Sequence, residues 1–147
     1  MSESVNRRVE IVVVEDYLDL AKQLLAHEVD FAALSGYAYV RAKRKAPDLQ
    51  LIATPVTRAG STYEGYILTR ADSGVHSLSD LRSRVFCYVS PTSTSGYLYP
   101  RALFRREGID PDADFFATRF TGDHLAALRA LYTGACDGAV VYANILF

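Results

Sequence analysis

The chain has no tryptophan, only two cysteines, and almost no net charge: 16 Lys and Arg stand against 17 Asp and Glu in 147 residues. Each shortage excludes something. A formal net charge of −1 gives no general field for attracting nucleic acid or an anionic membrane, so no nucleic-acid partner is expected. The basic run RAKRK at 41–45 reads as a solvated helix end beside Pro47 rather than a phosphate-reading patch. No apolar run approaches the roughly 18 residues that a membrane-spanning helix needs. The opening residues MSESVNRR lack the apolar core of a signal peptide, so taken alone the sequence reads as cytoplasmic, or as a chain from which a targeting segment was removed. Cys87 and Cys136 set no disulfide framework and have no metal-ligand spacing, so neither a metal nor a cofactor is expected. Both lie in or beside apolar strand-like segments. Buried free thiols are the expectation, with a bridge as the alternative.

What is present belongs to a globular protein. Half the residues are hydrophobic and 22% are charged, with seven Phe and ten Tyr to fill a core. The length suits one ordinary domain or two small lobes. Residues 9–14 (VEIVVV) form a β-branched run of strand type, too short and too branched for a favoured helix. Residues 16–26 place apolar side chains at helical spacing behind a cap at Asp16 or Asp19. A strand is expected at 29–34, a helix at 36–45 closed by Pro47, and a short strand at 49–53. The segment TPVTRAGST at 54–62 is loop chemistry and the best lobe boundary, which divides the chain into 1–58 and 59–147. Strands follow at 66–69, 85–89, 115–120 and 138–142. Helical segments lie between them, at a turn capped by Ser77 or Ser79, at 97–107 and at 123–132. Strands alternating with helices of about ten residues imply βαβ units and a largely parallel sheet, an α/β fold.

The stretch SPTSTSGYLYP at 90–100 carries more hydroxyls than a helix cap needs. In a βα unit the loop after the strand delivers the chain to a helix start, where backbone N–H groups lack partners and the helix dipole is positive. Ser93, Thr94 and Ser95 lie there, and Gly96 allows close backbone approach. Such a set can surround a tetrahedral oxyanion without Lys or Arg. It can also be an N-cap with a hydroxyl turn.

Three longer patterns bear on that choice. TPVTRAGSTYEGYILTRADSGVHSLSDL has a Tyr some ten residues before D-S-G and then an S-L-x-D-L turn. SPTSTSGYLYPRALFRREGIDPDADF contains P-x-S-T-S-G-Y-x-x-P. FTGDHLAALRALYTGACDGAVVY has G-x-H leading a helix that ends in G-x-x-D and an apolar strand. Together with EDYLDLAKQLLAHEVDFAALSGYAYVRAK upstream, these resemble the substrate-binding proteins of phosphate, phosphite and phosphonate ABC transporters over about residues 9–147. The resemblance implies a two-lobed periplasmic-binding-protein-like clamp, with lobe 1 partial and lobe 2 nearly complete. It implies an extracytoplasmic setting, a small oxyanion ligand and a transporter permease as partner. Ser93, Thr94 and Ser95 would hold the phosphorus oxygens, and His124 would donate an imidazole N–H to them. Tyr17 and Tyr63 would reach in from lobe 1 and the hinge, with Ser35 and Gly36 as weaker candidates.

Two departures from the family pattern matter. Asn144 stands where aminophosphonate binders place an acid, so phosphite, phosphate or methylphosphonate is expected over an aminoalkyl ligand. The family's opening strand and helix, and the stretch returning to lobe 1, are missing. The chain therefore reads as truncated at both ends, and the incomplete lobe predicts self-association or completion by a partner chain. A cytoplasmic sensory domain on the same clamp is the alternative function. A phosphate-handling enzyme using Cys87 and His124 is a weaker one, because Cys87 lies inside the apolar strand VFCYV.

Overall fold

The computed structural model describes residues 6–14, 16–56, 62 and 64–146. Helix α1 (Tyr17–Leu25) starts at Asp16, whose carboxylate accepts the N–H groups of Leu18 and Asp19. Helix α2 (Gly36–Lys45) starts at Ser35 and ends in Lys43, Arg44 and Lys45. Lys43 donates to the carbonyls of Pro47 and Leu49, so the basic run finishes a helix as the sequence suggests. The next elements are β1 (Gly65–Thr69), a 3₁₀ turn (Leu78–Leu81) and β2 (Val85–Tyr88). A π-helical turn (Thr94–Leu98) leads into α3 (Tyr99–Arg106). Strand β3 (Ala117–Phe120), helix α4 (His124–Tyr132) and β4 (Gly138–Tyr142) complete the sheet, followed by a 3₁₀ turn (Ala143–Ile145).

The four strands form one sheet in the order β1-β4-β2-β3. The pairs β2–β3 and β2–β4 are parallel, whereas β1 runs antiparallel to β4, with Gly65 opposite Tyr142. The largely parallel sheet that the sequence implies is present in two of the three pairings, and one antiparallel strand makes it mixed. The reversed strand sits at the edge, where a change of direction needs no crossover.

Side chains of period 2 sort the core into two layers. Phe86 and Tyr88 of β2 join Val140 of β4, Phe104 of α3, Leu81, Ile109 and Phe115 on one face. Cys87 and Val89 join Ala139 and Val141, together with Ala127 and Leu131 of α4, on the other. Aromatic edges meet faces in the first layer, Phe86 against Phe104 and Phe104 against Phe115. Gly138 is required by this packing, since a Cβ there would lie 2.7 Å from Leu81 and 2.9 Å from the Phe86 ring.

The first part of the chain departs from expectation. Among the described residues, no strand ladder forms before Gly65, although strands were expected at 9–14, 29–34 and 49–53. Strand propensity reports how a side chain fits a pleated, half-buried surface, and a ladder also needs a neighbouring segment to bond. Here most of these side chains are exposed.

Cys87 and Cys136 also differ from the expected free thiols. They form a disulfide, with Cα atoms 5.9 Å apart, inside the usual range for a bridge. Cys87 pairs in register with Ala139 across the β2–β4 ladder. Cys136 lies two residues before β4 begins at Gly138, so the fold brings the thiols together on the α4 side. Sequence separation alone does not reveal that proximity.

Candidate functional site

Beyond Tyr88 the chain folds back on itself. The Val89 N–H donates to the Gly96 carbonyl at 3.0 Å, and the Leu98 N–H to the Ser93 carbonyl at 3.1 Å. Ser93 caps the π-helical turn, its Oγ accepting the Gly96 N–H at 3.0 Å. Ser90, Thr92, Ser93, Thr94 and Ser95 are all buried, a costly placement for hydroxyls unless they find partners. A Cβ on Gly96 would come within 2.5 Å of Val89 and 2.8 Å of Ser93 Oγ. Only glycine allows this tight return.

The start of α2 is placed against this loop. Ser35 was expected at a strand end facing a cleft; no strand precedes it, and it caps α2 instead. Its Oγ accepts the Ala38 N–H at 3.1 Å and donates to the Thr92 carbonyl at 2.7 Å. The Tyr37 N–H donates to Thr94 Oγ1 at 2.8 Å. At Gly36 a Cβ would meet Thr94 Oγ1 at 3.7 Å, an ordinary contact, so glycine is not required for this approach. Two helical starts therefore converge, and at each of them N–H groups of the positive dipole end are met by hydroxyl oxygens. Hydroxyl oxygens occupy the acceptor positions between them.

A cavity of about 330 Å³ adjoins the loop at Val89 and Ser90. Val12, Val13, Val14, Asp16, Tyr17 and Leu20 wall one side; Gly122, Asp123 and His124 wall the other. The last three are set beside the end of β2 because its Tyr88 and Val89 carbonyls accept the N–H groups of Thr121 and Gly122. The cavity thus lies at the carboxyl ends of parallel strands β2 and β3, the usual place for a ligand in an open α/β sheet.

His124 is the first residue of α4, behind the Asp123 cap. Its Nδ1 accepts the Tyr142 N–H at 3.2 Å, and its ring packs edge-on against Tyr142 at 4.6 Å. Burial holds its pKa below the ordinary histidine value, with the Asp123 charge opposing. A neutral imidazole accepting at Nδ1 carries its proton on Nε2, and that nitrogen is a donor. Asp16 and Asp123 face the same cavity from opposite sides. Each already accepts N–H groups of its own helix: Leu18 and Asp19 for Asp16, Ala126 for Asp123.

The structure thus gathers the expected residues into two adjoining groups. Tyr17 and His124 line the cavity; Ser35, Ser93, Thr94 and Gly96 form the bonded cluster beside it. Ser95 lies toward Gly65, along a separate recess of about 160 Å³. Tyr63 and the Asn144 side chain fall outside the described residues. Sequence reasoning missed Ser90, and it missed the cavity-facing positions of Asp16 and Asp123. It also missed the Tyr37 and Tyr142 N–H groups, because backbone donors carry no signature in side-chain identity. The disulfide leaves no thiolate at Cys87, whose side chain is buried in the α4 layer.

The family model described as the periplasmic substrate-binding protein of phosphonate ABC transporters matches residues 1–146. The phosphate-import protein PhnD of Mycolicibacterium smegmatis is 31% identical over 144 residues, which cover 92% of this chain and 45% of that protein. PhnD1 from Prochlorococcus marinus, solved with methylphosphonate, superposes with a TM-score of 0.89 at 20% identity, over 99% of this chain and 55% of the other. A binding-protein component of a phosphonate ABC transporter from Pseudomonas aeruginosa gives 0.85 at 26% identity, over 97% of this chain and 49% of the other. The chain spans about half the length of these relatives. It belongs to the family of periplasmic substrate-binding proteins of phosphonate ABC transporters.

Proposed function

We propose that this chain binds a small phosphorus oxyanion (phosphite, phosphate or an alkylphosphonate) for delivery to an ABC transporter permease outside the cytoplasm, without performing chemistry on it. The observation that carries this reading is the convergence of the α2 and π-turn starts, where Ser93, Thr94 and Ser35 oxygens accept N–H groups that an oxyanion would also satisfy. Neutral donors of this kind bind a dianion through short directed bonds rather than through a long-range field. His124 Nε2 and the Tyr17 side chain would add donors from the two sides of the adjoining cavity, with Ser95 and Tyr63 completing the set. Val12, Val13 and Val14 give a small substituent on phosphorus an apolar wall, while Asp16 and Asp123 on the same cavity are engaged by N–H groups of their own helices. In this reading the chain divides near residue 58 into two lobes that share the ligand. The Cys87–Cys136 bridge favours an oxidising compartment over the cytoplasmic sensory alternative, and it removes the thiol that an enzymatic reading needs.

Isothermal titration of phosphite, phosphate, methylphosphonate and 2-aminoethylphosphonate tests the proposal. One of the first three should bind best, and Thr94→Val and His124→Ala should each weaken it at least about tenfold, or 1.4 kcal/mol. Tightest binding by the aminoalkyl ligand would overturn the substituent assignment. No binding by any of the four, in a chain whose core is folded by amide exchange, would overturn the site.

A further inference from the structure

Behind the hydroxyl turn lies an ion pair that the site as described does not use. Arg101 stands in the first turn of α3, directly after the π-helical turn, and its side chain is only 13% exposed. Its Nη1 donates to Asp112 Oδ1 at 2.9 Å and its Nη2 donates to Asp112 Oδ2, so both oxygens of one carboxylate hold the guanidinium plane. Asp112 is itself fixed in a closed turn, where its N–H donates to Asp110 Oδ1 and the Asp114 N–H to the Asp110 carbonyl. The guanidinium carbon then sits over the Tyr97 ring, 5.2 Å from its centre, within the range of a cation–π contact. Arg105 reaches the same carboxylate at 3.4 Å, from a side chain 59% exposed.

Tyr97 joins the two sides of the anion site. It belongs to the π-helical turn that Ser93 caps and Thr94 begins. Its ring meets Tyr88 edge-on at 5.2 Å and Phe120 at 5.4 Å. Phe120 ends β3 and leads through Thr121 and Gly122 to Asp123 and His124 on the cavity wall. Tyr88 ends β2, and its carbonyl accepts both the N–H and the hydroxyl of Thr121. Ring contacts alone fix such an arrangement loosely, and the Tyr97 and Phe120 planes meet at 54°, neither stacked nor edge-on. A guanidinium held by two parallel bonds gives Tyr97 a plane that does not turn. We propose that Arg101 is a positioning residue for anion binding: clamped by Asp112, it fixes Tyr97 so that the hydroxyl turn and the Asp123–His124 wall keep one relative placement. Arg101 is not among the residues that wall the cavity, so it acts through Tyr97. The inference rests on the anion-site reading given above.

Isothermal titration of phosphite, phosphate and methylphosphonate tests it on Arg101→Lys, Arg101→Met, Asp112→Ala and Arg105→Ala, with amide exchange on each variant. In the first three the best-bound anion should lose at least about tenfold in affinity, with Lys no better than Met, because an ammonium keeps the charge but not the planar fork. Arg105→Ala should bind as the wild type does. Exchange over 93–98 and 120–124 should speed at least about tenfold in the same three variants, while 85–88 and 138–142 stay protected and show that the sheet is folded. Tyr97→Leu with Arg101→Met should weaken binding no further than Tyr97→Leu alone, since both act through one ring. Wild-type affinity in Arg101→Lys would reduce the residue to a source of charge and overturn the proposal. Losses that simply add in the double variant would overturn it too. Unchanged affinity and exchange in Arg101→Met, beside a wild type that binds, would overturn the positioning and leave the function standing. A wild type that binds none of the three anions would overturn the function itself.

Discussion

The two parts of this chain use similar residues to different ends. Residues 9–14 carry five β-branched residues in six, and 138–142 carry two adjacent valines in GAVVY. The first segment is largely exposed; in the second, Ala139, Val140 and Val141 are at most 1% exposed. The difference lies in the neighbours. β4 has β1 on one side and β2 on the other, α4 over one face and the Phe86–Phe104 layer over the other. Among the described residues of the early part, α1 and α2 bury only Ala21, Ala38 and Ala42, and Val12, Val13 and Val14 wall an open cavity rather than a core. Apolar composition becomes stability only where something removes it from water.

Truncating the centre of the better-packed part sharpens that contrast most. Phe86→Ala removes a fully buried ring touching Tyr88, Phe104 and Phe115. It should cost about 3–5 kcal/mol in urea unfolding. Phe31→Ala, on an exposed side chain of the first part, should change the same transition by less than about 0.5 kcal/mol. A large loss at Phe31 would show that the first part has a core of its own.

Removing the disulfide comes next. Cys136→Ser with Cys87→Ala opens a link spanning 49 residues, which on the chain-entropy account is worth about 4 kcal/mol. Mass spectrometry should show the bridge lost, and the urea midpoint should fall. A midpoint insensitive to the pair of changes, or to reductant, would mean that the thiols are not bridged in solution.

Paired cap deletions compare the two parts with one chemical change. Asp123→Ala frees the Ala126 N–H at the start of α4 and should lower global stability by about 1 kcal/mol. Asp16→Ala frees the Leu18 and Asp19 N–H groups, yet it should speed amide exchange in α1 without moving the main transition. Equal global losses would make the chain a single cooperative unit.

The smallest expected effect is that of pH. His124 is held neutral by burial, with a folded pKa below its unfolded value near 6.5. The unfolded chain then binds the extra proton first, so this group leaves stability untouched above about pH 6.5 and subtracts from it as pH falls toward the folded pKa. Protonation also costs the bond that Nδ1 accepts from the Tyr142 N–H. His124→Ala should flatten the acid limb of the thermal midpoint against pH, and an unchanged limb would exclude His124 as its source.

Local chemistry was readable where it is closed within a few residues. A cap for α1 at Asp16 or Asp19, helix α4 led by His124 and the apolar strand VFCYV each follow from near neighbours in the chain. Gly96 reads as allowing close backbone approach, and the structure uses it for the tight return against Val89. What escaped were relations across long separations. Thr94 bonds Tyr37 over 57 residues, His124 bonds Tyr142 over 18, and Cys136 reaches Cys87 over 49. None of these leaves a mark in composition or periodicity. The same limit explains the strands expected at 9–14, 29–34 and 49–53, since a strand pattern states a preference and only a partner turns it into a ladder.

By itself, then, the sequence determined where α1, α2 and α4 lie, the apolar inner strands and the hydroxyl-rich turn, because each depends on side chains within one turn or one pleat. Tertiary structure decided the rest. It brought α2 against the loop so that hydroxyls serve N–H groups of two helical starts, set the His124 tautomer through a distant strand, joined the two cysteines and left the early apolar segments uncovered. Those outcomes depend on which surfaces meet, and that follows from how the whole chain packs.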